Sequence, residues 1–348
     1  MESIWEEYLK KINNLNLYIQ KLIEIEELIG KNYKERLSLK VQDLNKILTK
    51  KLYDYNLIVI TIYGIFEGFI EQIIKGYLKG LSTYIKDYKN IPEIIRENHI
   101  QLSADLIKDC SKYAKFSHLS REEIIANLNS CISGDPNYII NVDAFINHSS
   151  NFRKDTIRES FWNIGFANIT QGICKDKKFR QYFIDFEGEE EFNLKYYTED
   201  KFFRILKEII ERRNFIAHGN DIDDILSLSI LSNYVVYIKC IMEAIYDIVS
   251  KQLMAVHFEN GNKVFLGLPK KIYNHCIIGI ENQNNKIFVG LSIFAKHPIT
   301  NELRMGKILS IEYNGKSVDE ISENENLLIG IKVDFYAKSN YEFGILQY

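Results

Sequence analysis

The chain has 348 residues, 46% hydrophobic and 26% charged, enough for two or three domains with a sizeable core. Its formal net charge of −3 excludes a general electrostatic grip on long nucleic acid, so any such contact must be local. Five cysteines (110, 131, 174, 240 and 276) without a close pair argue against a disulfide framework or a zinc site and fit a reducing cytosol.

The amino terminus, MESIWEEYLKK, is charged and amphipathic, so no secretory leader is expected. Residues 2–29 predict one amphipathic helix, with Ile4, Tyr8, Ile12, Leu15, Ile19 and Leu22 at steps of three and four and Gly30 ending the pattern. A second long helical segment covers 34–88, with Pro92 just beyond. Its apolar run LIVITIYGIF is about ten residues long, too short to span a bilayer, so a cytoplasmic protein without membrane contact is expected. Shorter helices follow at 101–115 and 121–131, the second opening on Ser120 and Glu123 at capping-box spacing. Another covers 152–165. Segment 166–197 reads as less regular and holds the basic, aromatic stretch CKDKKFRQYF. A helix capped by Thr198 and stopped by Gly219 comes next, and Asp221 can cap a last helix reaching about residue 255.

After 256 the period changes. KVFLGL, HCIIGIEN, KIFVGLSIF, GKILSIEYNG and NLLIGIKVDFYA are short, β-branched runs bounded by turn pairs such as Asn260-Gly261 and Asn314-Gly315, which are hairpin signals. The expected architecture is α then β: an all-helical domain over 1–256, of which 1–30 is an added helix, then a small β-barrel or sandwich over 257–348.

ERRNFIAHGN, residues 211–220, carries the main chemical signal. On a helical wheel from Phe202, the apolar side chains centre near ~30° and Arg213 falls at ~20°, in the middle of that face. Asn214 lies on its flank, while Arg212, Lys201 and Arg204 project to the solvated side. An unpaired buried arginine is too costly to keep, so Arg213 must meet an anion, a carboxylate or a water-lined interface. His218 sits in the last turn, where the carbonyl end of the helix favours its protonated form. A fixed cation and a titratable imidazole one turn apart suit phosphodiester cleavage, one holding charge on the phosphate and the other moving a proton. The plainer alternatives are a buried ion-pair arginine and a helix-capping histidine. Glu67 interrupts an apolar helix between Phe66 and Gly68, so it needs a partner, and Arg213 is the obvious one, whether to position the arginine or to take part in chemistry. Lys175, Lys177, Lys178 and Arg180, interleaved with Phe179 and Tyr182, can guide RNA or belong to a solvated loop. His118, His148, His257, His275 and His297 lack metal-ligand spacing, so neither a metal nor another cofactor is expected.

RNFIAH resembles the R-x-x-x-x-H signature of the HEPN superfamily, all-helical domains found in many bacterial ribonuclease toxins and defence proteins. IVITIYGIFEGFIEQII and NHSSNFRKDTIRESFWNIGF are similar to the corresponding segments of its RiboL-PSP branch, and the likeness covers about 50–250. It implies a homodimer with a shared site and metal-independent cleavage of tRNA or other RNA to 2′,3′-cyclic phosphate ends. Arg213 would hold the scissile phosphate, His218 would act as general acid or base, and Asn214 would orient the phosphate or the histidine. Relatives modified by a partner nucleotidyltransferase carry Tyr where Asn220 stands, so that control is not expected. NKIFVGLSIF and GKILSIEYNGKSVDEISENENLLIGI are similar to the second domain of translational GTPases. Leu291 replaces that family's corner Asp and no phosphate-binding loop is present, so a barrel is implied without GTP hydrolysis. The resulting expectation is a toxin or antiviral effector whose barrel recognises RNA, the ribosome or a protein trigger, with an antitoxin as a further partner. The rival is an inactive HEPN-derived binding or dimerisation module.

Overall fold

The amphipathic repeat at the amino terminus forms α1 (Glu2–Tyr33), which buries Tyr8, Ile12, Leu15, Ile19 and Leu22 as one stripe against α2 (Val41–Tyr84). The computed structural model describes residues 1–33, 41–147, 150–219, 224–322 and 326–347, so Asp221, Asn220 and His148 lie outside the described residues. The chain divides into two compact units, Met1–Ser250 and Lys251–Tyr348.

In the helical unit, α2 is the central element, with Ile58, Ile62, Tyr63, Phe66, Phe69 and Ile73 all buried. Pro92 opens α3 (Glu93–Asp109) rather than ending a helix, and its carbonyl accepts from Ile95 and Arg96. The helix therefore starts well before the expected 101, because a proline without an N–H fits a first turn at no cost in hydrogen bonds. Ser120 caps α4 (Arg121–Ser133), its hydroxyl accepting from the Glu123 N–H at 3.1 Å. After α5 (Lys154–Trp162), the segment read as irregular forms two helices, α6 (Ile169–Lys175) and α7 (Lys177–Glu187). Asp176 caps α7 by accepting from the Phe179 N–H at 2.9 Å, and Phe179, Tyr182 and Phe183 enter the core. Thr198 caps α8 (Glu199–Phe202), which breaks at Phe203 (φ −93°, ψ 9°) before α9 (Arg204–Ala217) begins. α9 packs on α2. The last helix is α10 (Leu228–Asn260), counted with the strands from Lys251 onward. By length and composition, α2 from Lys51 and α10 are apolar enough to cross a membrane; in this fold about half of each apolar window is buried in the protein.

The β unit holds β1 (Asn262–Gly267), β2 (Lys271–Tyr273), β3 (Ile277–Gln283), β4 (Ile287–Phe288), β5 (Ser292–Lys296), β6 (Leu303–Tyr313), β7 (Lys316–Val318), β8 (Glu320–Ile321), β9 (Asn326–Val333) and β10 (Glu342–Gln347). The main antiparallel sheet runs β1-β10-β5-β6-β9-β3-β2, with β7 paired to β6, and curls into a half-barrel. Alternate residues line its core, among them Ile278 and Ile280 of β3, Ile329 and Ile331 of β9, and Phe343 and Ile345 of β10. Asn314 (φ 50°) and Gly315 (φ 74°) form the tight β6–β7 turn expected of an Asn-Gly pair. Asn260-Gly261 instead ends α10, the Gly261 N–H donating to the His257 carbonyl at 2.7 Å, so this pair is a helix terminus and not a hairpin.

Candidate active site

α9 is apolar on one face, and Ile205, Leu206, Ile209 and Ile210 are buried there. The buried stripe ends at that turn. Beyond it Arg213, Asn214 and Ile216 are half-buried and Phe215 is exposed, so Arg213 stands at the rim of the core rather than at its middle, as the wheel placed it. The half-open position keeps part of the guanidinium hydrated, which removes most of the desolvation cost of a buried charge. His218 is the C-cap residue, and Gly219, at φ 71°, takes the left-handed conformation that turns the chain away. The backbone N–H of His218 donates to the Asn214 carbonyl at 3.1 Å, leaving the imidazole exposed at the helix end.

Arg213, Asn214 and His218 line one cleft of about 490 Å³ with Glu67, Ser150, Asn151 and Arg153. Three segments converge there: α2, the end of α9, and the residues leading into α5. Asn214 is held by two donors, since its side-chain oxygen accepts from Arg213 Nη1 at 3.2 Å and from Asn151 Nδ2 at 2.8 Å. A guanidinium carries only donors, so the atom of Asn214 facing it is the oxygen, and the amide NH2 has no partner among the described residues. Asn214 thus orients the arginine, and makes no side-chain bond to His218 among the described residues.

Glu67 reaches the cleft, but among the described residues no ion pair joins it to Arg213. Tyr63, one turn earlier on α2, takes that place. Its hydroxyl donates to Glu67 Oε1 at 3.0 Å and accepts from the Phe152 N–H at 3.1 Å, while its ring faces the Arg213 guanidinium carbon at 5.2 Å. Burial, and then the Glu67 carboxylate, push the Tyr63 hydroxyl well above the usual phenol range, so it stays protonated and is the donor in its hydrogen bond to Glu67. Neither Arg213 nor Arg153 has a carboxylate partner among the described residues. Beside the Tyr63-bonded Glu67 carboxylate, the cleft therefore presents two guanidinium groups without an ion-pair partner among the described residues, an imidazole and amide donors, and the cationic side is suited to an anion such as a phosphate.

Two expected features fall elsewhere. Arg212, read as solvated, is the more firmly held arginine: it donates to the Tyr55 hydroxyl at 3.0 Å, to Glu208 at 2.9 Å, and to the carbonyl and carboxylate of Asp224 at 2.8 and 3.1 Å. A single-helix wheel cannot register Tyr55 on α2 or the segment after the motif. Lys175, Lys177, Lys178 and Arg180 do not line the cleft. Lys178 pairs with Glu243, Arg180 pairs with Glu191 at 2.8 Å, and the interleaved Phe179 and Tyr182 are core residues. Ser150, Asn151 and Arg153 of the cleft, and the buried Tyr63 beside it, are residues that sequence reasoning passed over. Among the described residues no cluster of His, Cys, Asp and Glu can hold a metal ion.

The RiboL-PSP-HEPN family model matches residues 18–251, two thirds of the chain, spanning α2 through α9 and all three cleft segments. The chain belongs to this family. No curated protein matches it. HEPN membership supports a nuclease or otherwise RNA-related role. The HEPN match leaves the first half of α1 and nearly all of the β unit outside.

Proposed function

We propose that this HEPN protein is a metal-independent endoribonuclease of a toxin or antiviral effector, acting on tRNA or other cellular or phage RNA in the cytoplasm. The observation that carries the reading is the cleft itself, where Arg213, Asn214 and His218 converge with two guanidinium groups left unneutralised among the described residues. In this chemistry the 2′-hydroxyl attacks the adjacent phosphorus and the bond to the 5′-oxygen breaks, leaving a 2′,3′-cyclic phosphate and a 5′-hydroxyl. Arg213 holds the non-bridging oxygens as charge builds, with Asn214 fixing the plane of its guanidinium. His218 moves protons. Two transfers are needed, one from the 2′-hydroxyl and one to the leaving oxygen, and a cleft with one histidine supplies both at once only when a second copy contributes its own His218. A homodimer is therefore part of the proposal. It draws support from Tyr53, Leu57 and Ile60, which are 70%, 54% and 45% exposed at steps of four and three along α2 and lead through exposed Gly64 toward Glu67.

The test is cleavage of RNA by the purified protein in EDTA, with end analysis. Cyclic phosphate ends, lost in Arg213→Ala and in His218→Ala at unchanged circular dichroism, are the expected result. Cleavage that persists in both variants removes the site. RNA binding without cleavage by the unaltered protein supports instead an inactive HEPN-derived binding module in a defence complex.

A further inference from the structure

The β unit carries a surface that the HEPN reading does not use. β2 and β3 are joined by a tight turn in which Asn274 (φ 49°) and His275 (φ 56°) both adopt the left-handed conformation and the Cys276 N–H donates to the Tyr273 carbonyl at 3.2 Å. The turn is docked on the segment after β9, where the Ala337 N–H donates to the His275 carbonyl at 2.6 Å. This brings the His275 and Tyr336 rings face to face, 4.4 Å apart and 13° from parallel, although both residues are exposed. Exposed aromatic rings fixed by their backbones lose little conformational entropy on binding a further planar group.

The register of the sheet extends that stack into a strip. Tyr273 on β2, Ile277 on β3 and Lys332 on β9 share one rung, so Tyr273 and Lys332 rise on the same face, and both are exposed. The next rung toward β2's start on that face is Lys271, Gly279, Gly330 and, on β6, the exposed Glu312. Two glycines side by side leave a floor without side chains, bordered by Lys271 and by Tyr273, over whose ring the Lys271 ammonium lies at 4.8 Å. Lys338 stands beyond Tyr336 and is also exposed. Among the described residues Lys271, Lys332 and Lys338 have no carboxylate partner, whereas neighbouring Arg304 is paired with Glu302 at 2.8 Å and donates to the Tyr336 carbonyl at 2.6 Å, bracing the stack from below. A chain of net charge −3 thus carries here a face of flat rings with three lysines unpaired among the described residues, bounded on the far side of the glycine floor by Glu312 and by Glu281, which pairs with Lys270.

We propose that this face binds single-stranded nucleic acid, with bases stacking on Tyr336–His275 and on Tyr273 over the Gly279–Gly330 floor, and phosphates meeting Lys271, Lys332 and Lys338. Planar rings accept any base by its π-face, and lysines at intervals track a backbone without reading sequence. An acidic peptide would match the lysines but leave the stacked rings unused. The site stands independently of whether Arg213 and His218 cleave.

The experiment uses the full chain carrying His218→Ala, which keeps the probe intact, and fluorescence anisotropy with a twelve-nucleotide single strand, as RNA and as DNA. Tyr336→Ala is expected to weaken binding by roughly tenfold and Tyr336→Phe to leave it unchanged, because the ring and not the hydroxyl carries the contact. Replacing Lys271, Lys332 and Lys338 with Ala is expected to flatten the salt dependence by about two units of slope. Photocrosslinking of a 4-thiouridine strand to the unaltered protein keeps the test independent of folding of the variants: adducts within 271–276 or 332–338 support the site, and adducts confined to 1–250 overturn it. Equal affinity of the parent and Tyr336→Ala also overturns it, as does binding of an acidic peptide but of neither strand.

Discussion

The helical unit holds two groups of cations that look alike in the sequence and differ in what surrounds them. On α7, Lys178 and Arg180 lie beside Glu243 and Glu191, and the rings between them are buried in the core. In the cleft, Arg153 and Arg213 have amides, an imidazole and a tyrosine ring for neighbours, and among the described residues neither is ion-paired with the one carboxylate there, Glu67, which accepts instead from Tyr63. The density of basic residues is greater on α7, yet its charge is spent locally. A cation becomes available to a ligand when its surroundings supply orientation without neutralisation, and Asn214 and Tyr63 do that for Arg213.

The sharpest way to break this contrast is to remove the cleft's charge or its proposed proton carrier, His218. Arg213→Ala and His218→Ala are each expected to lower RNA cleavage by at least ~10³-fold, and the double variant by little more, because both serve one step. Additive losses in kcat would show that the two act in separate events.

A second expectation concerns pH and the helical unit's stability. His99 is fully buried, with Nδ1 on the Tyr88 hydroxyl at 2.9 Å and Nε2 accepting from the Asn141 N–H at 2.9 Å. Burial lowers its pKa to about 4 from the ordinary 6.5. The folded state keeps it neutral while the unfolded chain takes up a proton below 6.5. Stability from this group is thus fully present above 6.5, falls as pH drops through that range, and levels off below about 4, a loss on the order of 3 kcal/mol. Urea unfolding between pH 7 and 4 measures it, and His99→Gln should shed that part of the slope.

Arg212 and Arg213 make a closer comparison, being neighbours with opposite duties. Arg212→Ala is expected to cost roughly 2 kcal/mol in chemical denaturation, since Tyr55 and Glu208 lose their shared donor. Arg213→Ala should change stability by less than half of that. A reversed order would make Arg213 the structural residue. Asn151→Ala should slow cleavage by about tenfold through kcat with little change in KM, because it loosens Asn214 and through it the arginine. The smallest effect is expected on α7, where replacing Lys178 and Arg180 together should alter RNA binding by less than about twofold.

Much of this was legible in the sequence where the signal is local. The stripe of α1, the caps at Ser120 and Thr198, the Asn314-Gly315 turn and the Arg213–His218 spacing are each written within a few consecutive residues. Other features depend on distant segments. Tyr63, Asn151 and Arg213 meet only after α2, the segment before α5 and α9 have packed, and a buried tyrosine or a loop asparagine has no pattern of its own. Two errors have the same origin in punctuation: Pro92, placed just beyond one helix, also opens the next, which was expected only from 101, and Asn260-Gly261 closes a helix where it was read as a hairpin. Glycine and proline mark boundaries reliably, but the side on which the element lies is settled by what it packs against.

The position of β10 sets an order on biosynthesis. Asn262 pairs with Gln347, and Ile293 with Ile345, so β10, made after the other nine described strands, lies between β1 and β5, which are made much earlier. Until it emerges, both of those strands present open hydrogen-bonding edges to other nascent chains. At roughly 5–20 residues per second, the residues after Ser250 take on the order of ten seconds to follow the helical unit from the ribosome. All three segments of the cleft are therefore translated before the half-barrel can close, and loss of β10 to a premature stop would leave a chain able to assemble its cleft while exposing two sticky edges.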